Sequence, residues 1–142
     1  MAERRRFDVS LVTPEGPAFE GEAEMLIVPG AAGEIGVLAR HAPLVATLKA
    51  GATRVYESVD DERVQEFATG AGFFSVELDR AIALVDDAVP AREIDPERAQ
   101  RQLEEAQQEL ERVEAGESDA DRWQLEQRIR HAENQLRVAG GG

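Results

Sequence analysis

The sequence predicts an antiparallel β-sandwich or barrel followed by a C-terminal antiparallel α-helical hairpin. Two observations predict this fold, and together they mark a change of composition near residue 90. All six prolines and eight of the twelve glycines lie at or before residue 96, so turn residues interrupt the first part of the chain throughout. Beyond residue 96, apolar residues recur at spacings of three and four, which is typical of helices. We therefore predict a sandwich domain over residues 1–90 and a hairpin over residues 91–142.

The strands of the first part are predicted by short apolar runs, which turn residues separate at intervals of eight to twelve positions. Many of these runs are rich in Val, Ile and Phe, and several alternate apolar with polar residues, as half-buried antiparallel strands do. Residues 59–63, VDDER, predict a hairpin turn, and the glycine pairs 33/36 and 70/72 predict bends or close approach of the backbone. The predicted strands include residues 7–12, 24–28, 53–59, 73–78 and 81–85.

The first helix is predicted to begin at Asp95, because Asp is a favoured N-cap residue. Pro96 then stands at the first helical position, where its missing N–H costs nothing. Gly116 ends the pattern, and Ser118 or Asp119 is expected to cap the second helix. The apolar positions of the first helix form one narrow stripe at spacings of 4, 3, 4 and 3, consisting of Ala99, Leu103, Ala106, Leu110 and Val113.

The second helix is predicted by an equally narrow stripe, which runs to the glycines at 140–142. Two helices of roughly 18–20 residues joined by a short turn form an antiparallel hairpin. A helix buried in a stable core usually carries a wider apolar face. If the two stripes pack on each other, little remains to hold the hairpin on the sheet, so we predict that it docks weakly and takes more than one position. The second stripe consists of Leu125, Ile129, Ala132 and Leu136.

Charge and composition exclude several classes of protein. A net charge of −13 argues against nucleic acid as a partner, since phosphate binding depends on Lys and Arg, and it also argues against a basic membrane-surface module. No segment approaches the roughly 20 apolar residues that span a bilayer, so no direct bilayer insertion is expected. The absence of cysteine excludes a disulfide framework and a thiolate zinc site. A cytoplasmic protein with one ordinary domain, alone or with an appendage, is the expectation.

The glycine-rich stretch and the histidines are the candidates for chemistry, and none of them matches a catalytic or cofactor motif. The glycine spacing in PGAAGEIG, residues 29–36, fits neither a P-loop nor a dinucleotide fingerprint, which leaves tight turns as the better explanation. His41 has only one other histidine in the chain, His131, which lies far along the sequence. We therefore expect no catalytic residue, no metal site and no cofactor. Trp123 lies off the second stripe, either as a partner-facing anchor or as partial cover for the hairpin.

Several segments carry a resemblance to a known family. FDVSLVTPEGPAFEGEAEMLIVPG begins at residue 7, GEIGVLARHAPLVATLKAG at residue 33 and GAGFFSVELDRAIALVDDA at residue 70, and LRV follows near the C-terminus. With these segments the chain resembles, from end to end, the epsilon subunit of bacterial F-type ATP synthases. The frame of glycines followed by HAPL within residues 33–51 is a specific part of the match, and so is the glycine-aromatic strand pair that leads to ALVDDA.

The resemblance implies a β-sandwich of about ten strands in a non-catalytic subunit of the central stalk. In the family this subunit packs on the rotor's gamma subunit and on the membrane ring of c-subunits, at the cytoplasmic face of the plasma membrane, and couples proton-driven rotation to ATP synthesis. Its hairpin folds on the sandwich or extends along gamma, and when extended it blocks ATP hydrolysis by the catalytic alpha/beta head. The resemblance further implies that Glu34, Arg40 and His41, presented at one edge of the sandwich, contact the ring.

A second function stays open, in which ATP holds the hairpin folded on the sandwich. The segment IDPERA, residues 94–99, resembles the I/L-D-x-x-R-A element that some bacterial members use to bind ATP. The start of a helix explains the same residues without a nucleotide. In ATP-binding members the second helix also supplies arginines, and His131 and Gln135 stand at about those places here, which argues against tight binding. The residues at the fixed positions of the element are Ile94, Asp95, Arg98 and Ala99.

Overall fold

In the computed structural model, which describes residues 4–140, the chain forms ten β-strands followed by two α-helices. The predicted sandwich of about ten strands with a C-terminal helical hairpin is therefore confirmed. The strands are β1 Phe7–Thr13, β2 Gly16–Ala23, β3 Met25–Gly30, β4 Gly33–Val37, β5 His41–Leu48, β6 Gly51–Ser58, β7 Arg63–Thr69, β8 Gly72–Leu78, β9 Arg80–Val85 and β10 Ala88–Pro90. A short 3-10 helix, Ala91–Glu93, leads to the helices α1 Pro96–Glu114 and α2 Arg122–Ala139.

The strands form one sheet in the order β10-β7-β6-β3-β5-β8-β9-β1-β2, with β4 pairing with β3 beside this path. Every pair is antiparallel except β1 with β9, which run parallel. The sheet folds on itself around a single apolar core. β1 to β9 contribute buried side chains to it, and Ala88 of β10 packs against it. Its largest buried members are Phe7, Leu11, Leu26, Val28, Val37, Leu48, Val55, Phe67, Phe74 and Val76.

Alternation of apolar and polar residues decides which face of a strand enters the core. In β1, Phe7, Val9 and Leu11 are buried, whereas the intervening Asp8 is exposed and Ser10 only half-buried. Successive side chains of a strand point to opposite faces, so this order directs one face inward. All five predicted apolar runs fall on strands, with only Glu24 and Val59 lying one residue outside β3 and β6, and the predicted turn VDDER joins β6 to β7.

Among the four glycines at 33, 36, 70 and 72, Gly72 and Gly33 each meet a demand that favours glycine, whereas Gly36 does not. A Cβ atom on Gly72 would lie 1.9 Å from the carbonyl oxygen of Leu84 on the paired strand, so any side chain would force β8 and β9 apart. Gly33 opens β4 with φ +141°, a conformation that side chains disfavour. Gly36, by contrast, lies within β4 and has open space where a Cβ would be, so it marks neither a bend nor a close approach.

The first helix begins as predicted. The Asp95 side chain accepts hydrogen bonds from the backbone N–H groups of Glu97 and Arg98 at 3.1 and 3.2 Å, and Pro96 is the first helical residue. These bonds satisfy N–H groups that the helix itself leaves without partners. Asp95 is therefore the N-cap, and its Oδ1 atom accepts both bonds.

The prediction for the second cap is wrong, because the turn is longer than the sequence suggests. Asp121, and neither Ser118 nor Asp119, caps α2, and its side chain accepts from the N–H groups of Trp123 and Gln124. The Ser118 hydroxyl instead accepts from the backbone N–H of Ala120 within the turn and donates to the Glu109 carboxylate of α1. Gly140 follows α2 as its C-terminal cap, and the glycines at 141 and 142 lie outside the described residues.

The two helices pack along the predicted stripes. The small residues Ala99 and Ala106 are buried on α1, as are Leu125 and Ala132 on α2, while the other stripe residues are half-buried. The lengths of 19 and 18 residues agree with the predicted helices. Within residues 4–140, no helix is long and apolar enough to cross a membrane.

Candidate functional site

α2 contacts the sandwich through a row of residues outside its predicted stripe. His131, Asn134 and Val138 follow spacings of three and four, which puts them on one side of the helix. Asn134 and Val138 are both buried. α2 lies against β6, β7 and the 3-10 helix, whereas α1 packs mainly on α2. This row is short beside the contact between the two helices, so weak docking of the hairpin in more than one position stays a prediction.

Asn134 makes the central polar contact of this interface. Its Nδ2 atom donates to the backbone carbonyl oxygen of Gly51 at 3.1 Å and to that of Thr69 at 3.0 Å. Gly51 and Thr69 are paired residues at adjoining ends of β6 and β7, so one amide group bridges the two strands. The side chain is only 3% exposed, and its Oδ1 atom is buried with no hydrogen-bond partner among the described residues. That unpaired oxygen reduces the net stabilisation that docking gains from the two bonds.

His131 makes the second contact, to a pair of adjacent carboxylates between β9 and β10. Its Nε2 atom lies 3.3 Å from Oδ1 of Asp86, and its Nδ1 atom lies 4.0 Å from Oδ2 of Asp87. Burial raises the pKa of Asp87, and the charge of Asp86 adds to this, whereas His131 acts in the opposite direction. The docked hairpin therefore brings the imidazole ring of His131 against two carboxylates.

A cavity of about 720 Å³ opens between the two helices beside Asp87. Its charged lining includes the carboxylates of Asp87, Glu105 and Glu109, with Arg128 as the one permanent cation. The excess of carboxylates opposes a polyphosphate ligand, because like charges repel most strongly where water is partly excluded.

The four residues of the IDPERA element are not brought to this cavity. None of them is among the residues that line it. Ile94 follows the 3-10 helix, Asp95 caps α1, and Ala99 is fully buried. Arg98 is exposed on the first turn of α1, and its backbone N–H donates to Asp95. All four have a structural role or an exposed position that needs no nucleotide.

The three residues predicted to contact the rotor ring lie in two places. Glu34 lies near one end of β5. Its neighbour Gly33 pairs with Gly30 of β3, and Gly30 pairs with Leu48, the last residue of β5. Arg40 and His41 stand at its other end, and an eight-residue strand is roughly 25 Å long. Glu34 therefore does not share one edge with Arg40 and His41.

The surroundings of these residues differ as well. Glu34 pairs with Arg54 across 3.4 Å, and Arg54 also binds Glu66 at 2.8 Å, so Glu34 belongs to an ion-pair network that crosses four strands. The backbone N–H of Arg40 donates to the Asp79 side chain, and the ring Nδ1 of His41 lies 2.6 Å from the carbonyl oxygen of Ala42. No hydrogen bond or ion pair within residues 4–140 links Glu34 to Arg40 or His41.

An apolar row crosses the outer face of β5, β8 and β9. Val45, Phe73 and Leu84 are 76%, 63% and 51% exposed. Phe73 stands directly opposite Leu84, and Val45 lies on the neighbouring strand, two residues from the partner of Phe73. Large apolar side chains grouped on a surface indicate contact with another molecule. Phe73 and Leu84 lie in runs that the sequence predicts to be strands, whereas Val45 lies outside those runs. The sequence does not indicate that this face is uncovered, although the polar Ser75, two residues from Phe73, was the available signal.

Trp123 is 63% exposed near the start of α2, so it gives the hairpin little cover, and the partner-facing alternative is the one its exposure favours. The part of the chain that the structure describes contains no group of three or more His, Cys, Asp or Glu side chains that could hold a metal ion. The candidate site is therefore a pair of surfaces: a polar docking interface under α2 and an uncovered apolar face on the sheet.

This architecture defines a small binding subunit. It consists of a β-sandwich with one uncovered apolar face and a helical hairpin that polar contacts hold on another part of the sandwich. Comparison with known proteins identifies the family. Residues 6–91 match the model of the β-sandwich domain of the ATP synthase delta/epsilon chain, and residues 92–140 match its long α-helix domain. The chain belongs to the ATP synthase epsilon chain family, whose members are subunits of the synthase and not themselves the catalyst.

Relatives agree along nearly the whole chain. The ATP synthase epsilon chain of Rubrobacter xylanophilus is 37% identical over 99% of this chain and 98% of its own length. That of Halalkalibacterium halodurans is also 37% identical, over 93% of this chain and 96% of its own. Among solved structures, a chain of the Euglena gracilis mitochondrial ATP synthase assembly with F1 and the c-ring has the same fold, with TM-score 0.70 and 23% identity over 96% of this chain and 82% of that one.

Proposed function

We propose that this protein is a rotor subunit in the central stalk of an F-type ATP synthase, where it couples proton-driven rotation to ATP synthesis and restrains ATP hydrolysis. The hairpin carries the restraint. The supporting observation is that the two helices have different contacts. α2 binds the sandwich through Asn134 and His131, while α1 packs mainly on α2. Loss of a few polar contacts would therefore free both helices as one unit, which is what an element with two positions requires.

Truncation of the hairpin tests the restraint. A protein that lacks the residues from Asp95 onward should leave ATP hydrolysis by the head-gamma assembly uninhibited, whereas the full-length protein should inhibit it. Equal inhibition by the two proteins would refute the role of the hairpin. The purified subunit alone should show no ATPase activity, which serves as the control for contaminating enzyme.

We assign the apolar row on β5, β8 and β9 to the gamma subunit. Burial of Val45, Phe73 and Leu84 against a partner removes apolar surface from water, at roughly 25 cal/mol per Å². Phe73→Glu should therefore weaken binding to gamma at least tenfold in a calorimetric titration. Val64→Glu is the matched control, because Val64 is also an exposed apolar residue but lies on β7. Equal binding by the two variants would refute the assignment.

Glu34, Arg40 and His41 remain the proposed contacts with the c-subunit ring. Substitution of Glu34 by Gln or of His41 by Ala should weaken coupling, read as proton pumping per ATP hydrolysed, and leave the isolated fold intact. Glu34→Gln also removes the ion pair with Arg54, but a pair this exposed contributes about 1 kcal/mol or less. A variant that unfolds the sandwich would show that its residue belongs to the framework. These contacts would hold the subunit peripherally at the cytoplasmic face of the plasma membrane.

A second candidate function is that of an ATP sensor, in which nucleotide holds the hairpin on the sandwich. The resemblance of the IDPERA element to an ATP-binding element favours it. The three carboxylates around the cavity between the helices and the use of Asp95 as a cap count against it. Calorimetry with ATP decides the question, since no heat at millimolar nucleotide would remove the sensor role.

A further inference from the structure

The polar contacts under α2 include three titratable side chains, those of His131, Asp86 and Asp87. His131 lies between Asp86 and Asp87 on the sandwich, at 3.3 and 4.0 Å. All three side chains are partly covered, with about a third of each exposed. A proton taken up by the imidazole ring would place a cation against both carboxylates, so the charge of this contact depends on protonation.

We propose that His131, Asp86 and Asp87 form a proton-sensitive latch, which holds the hairpin more tightly on the sandwich as the pH falls from 8 to 6. The docking equilibrium involves only the hairpin and the sandwich of this chain, so it can be measured without the other subunits. Its consequence for ATP hydrolysis rests on the proposed function, in which the released hairpin restrains hydrolysis by the catalytic head.

The charges that face His131 decide the sign of the effect. Asp86 and Asp87 approach it from the sandwich, and Glu105 and Glu109 of α1 line the same cavity. Carboxylates thus outnumber the one permanent cation there, Arg128 of α2. Glu15 contributes a further negative charge at Asp87. A proton taken up by His131 therefore reduces an excess of negative charge that docking creates.

Asp87 acts in the same direction. Burial raises its pKa, so the docked state keeps a proton on this carboxyl to a higher pH than the released state does. A carboxyl whose pKa is higher in the docked state stabilises docking fully at pH values below its ordinary pKa. This contribution is lost as the pH rises through the raised pKa. Protonation of either His131 or Asp87 thus favours the docked hairpin.

A fluorescence measurement on the full-length chain tests the latch. The chain has no cysteine, so a donor and an acceptor dye can be attached at Asp61→Cys in the β6–β7 turn and Glu117→Cys in the helix turn, both exposed positions. Energy transfer then reports the docked fraction. For partly exposed ion pairs, the docking constant should rise roughly fivefold between pH 8 and pH 6.

Four variants of the labelled chain separate charge from shape. His131→Gln should dock weakly at both pH values, and His131→Arg should dock tightly at both, which a merely structural role for the ring would not produce. Glu133→Gln, an exposed neighbour on α2, should keep the fivefold change. Asp86→Asn tests the latch from the sandwich, where it cannot disturb helix formation, and should reduce the change.

Two results would overturn the latch: a docking constant of the unmodified chain that is equal at pH 8 and pH 6, or a fivefold change that persists in His131→Gln. The proposed function fails by a different result, which is the absence of hydrolysis inhibition in the head-gamma assembly at every pH. If the latch operates in the assembly, inhibition by the full-length protein decreases as the pH falls.

Discussion

Substitution of Asn134 by Ala is the sharpest test of how the hairpin is held. Asn134 donates to the carbonyl oxygens of Gly51 and Thr69, and both bonds exist only while α2 is docked. Each hydrogen bond between uncharged groups contributes roughly 1 kcal/mol, and a buried acceptor left without a donor costs about 1–3 kcal/mol. The substitution also removes the unpaired Oδ1 atom, and this gain offsets the cost of about one buried acceptor left without a donor. The net loss is therefore about 2 kcal/mol, or roughly a 30-fold decrease in the docking constant.

The loss should be confined to docking. When the hairpin is released, water can reach both carbonyl groups, so the sandwich loses no internal bond, and its denaturation midpoint should stay close to that of the unmodified chain. Asn134→Asp should dock even more weakly than Asn134→Ala, because a carboxylate would face two carbonyl oxygens with no proton to donate. Energy transfer between the labels at positions 61 and 117 measures docking, and chemical denaturation measures the sandwich.

Glu133→Ala is the matched control, since Glu133 is the exposed neighbour on the same helix. It should leave the docking constant within about twofold of that of the unmodified chain. If Asn134→Ala docks as well as this control, or if Asn134→Asp docks as well as Asn134→Ala, the bridge between β6 and β7 does not hold the hairpin and the reasoning fails.

Three further substitutions test the framework. Gly72→Ala should lower the free energy of unfolding of the sandwich by about 1–3 kcal/mol, because its Cβ would overlap the carbonyl oxygen of Leu84, and a normal denaturation midpoint would contradict this. Asp121→Ala should cost about 1 kcal/mol by removing the cap of α2, read as faster amide exchange in its first turn, with no change in α1 as the control. Arg54→Met should cost about 1 kcal/mol or less, and high salt should reduce the difference from the unmodified chain if the bond to Glu66 is responsible.

The order of elements could be predicted from the sequence, because it depends on local chemistry. Asp95 followed by Pro96 can start a helix through contacts within one turn, and Phe7, Val9 and Leu11 alternate on a strand whatever lies above them. The second cap was predicted at the wrong residue because Ser118, Asp119 and Asp121 are all capable caps in sequence. Only the length of the turn, set by how the helices pack, selects among them.

The candidate sites show the opposite dependence. Phe73 and Leu84 lie in predicted strands, and only the register of three strands reveals that they form one uncovered row with Val45. Glu34 and His41 are seven positions apart in one segment, yet the path of β5 separates them toward opposite ends of the strand. Spacing along the chain does not measure distance across a folded sheet.

By itself the sequence determined a β-sandwich, a helical hairpin and the absence of any motif for catalysis, since periodicity, caps and motifs are properties of neighbouring residues. Tertiary structure alone decided what holds the two parts together. Asn134 and His131 meet Gly51, Thr69 and Asp86, residues that are 45 to 83 positions away along the chain. No local preference records such a contact, because its free energy exists only once the folded sheet brings those carbonyl and carboxylate groups to the surface that α2 covers.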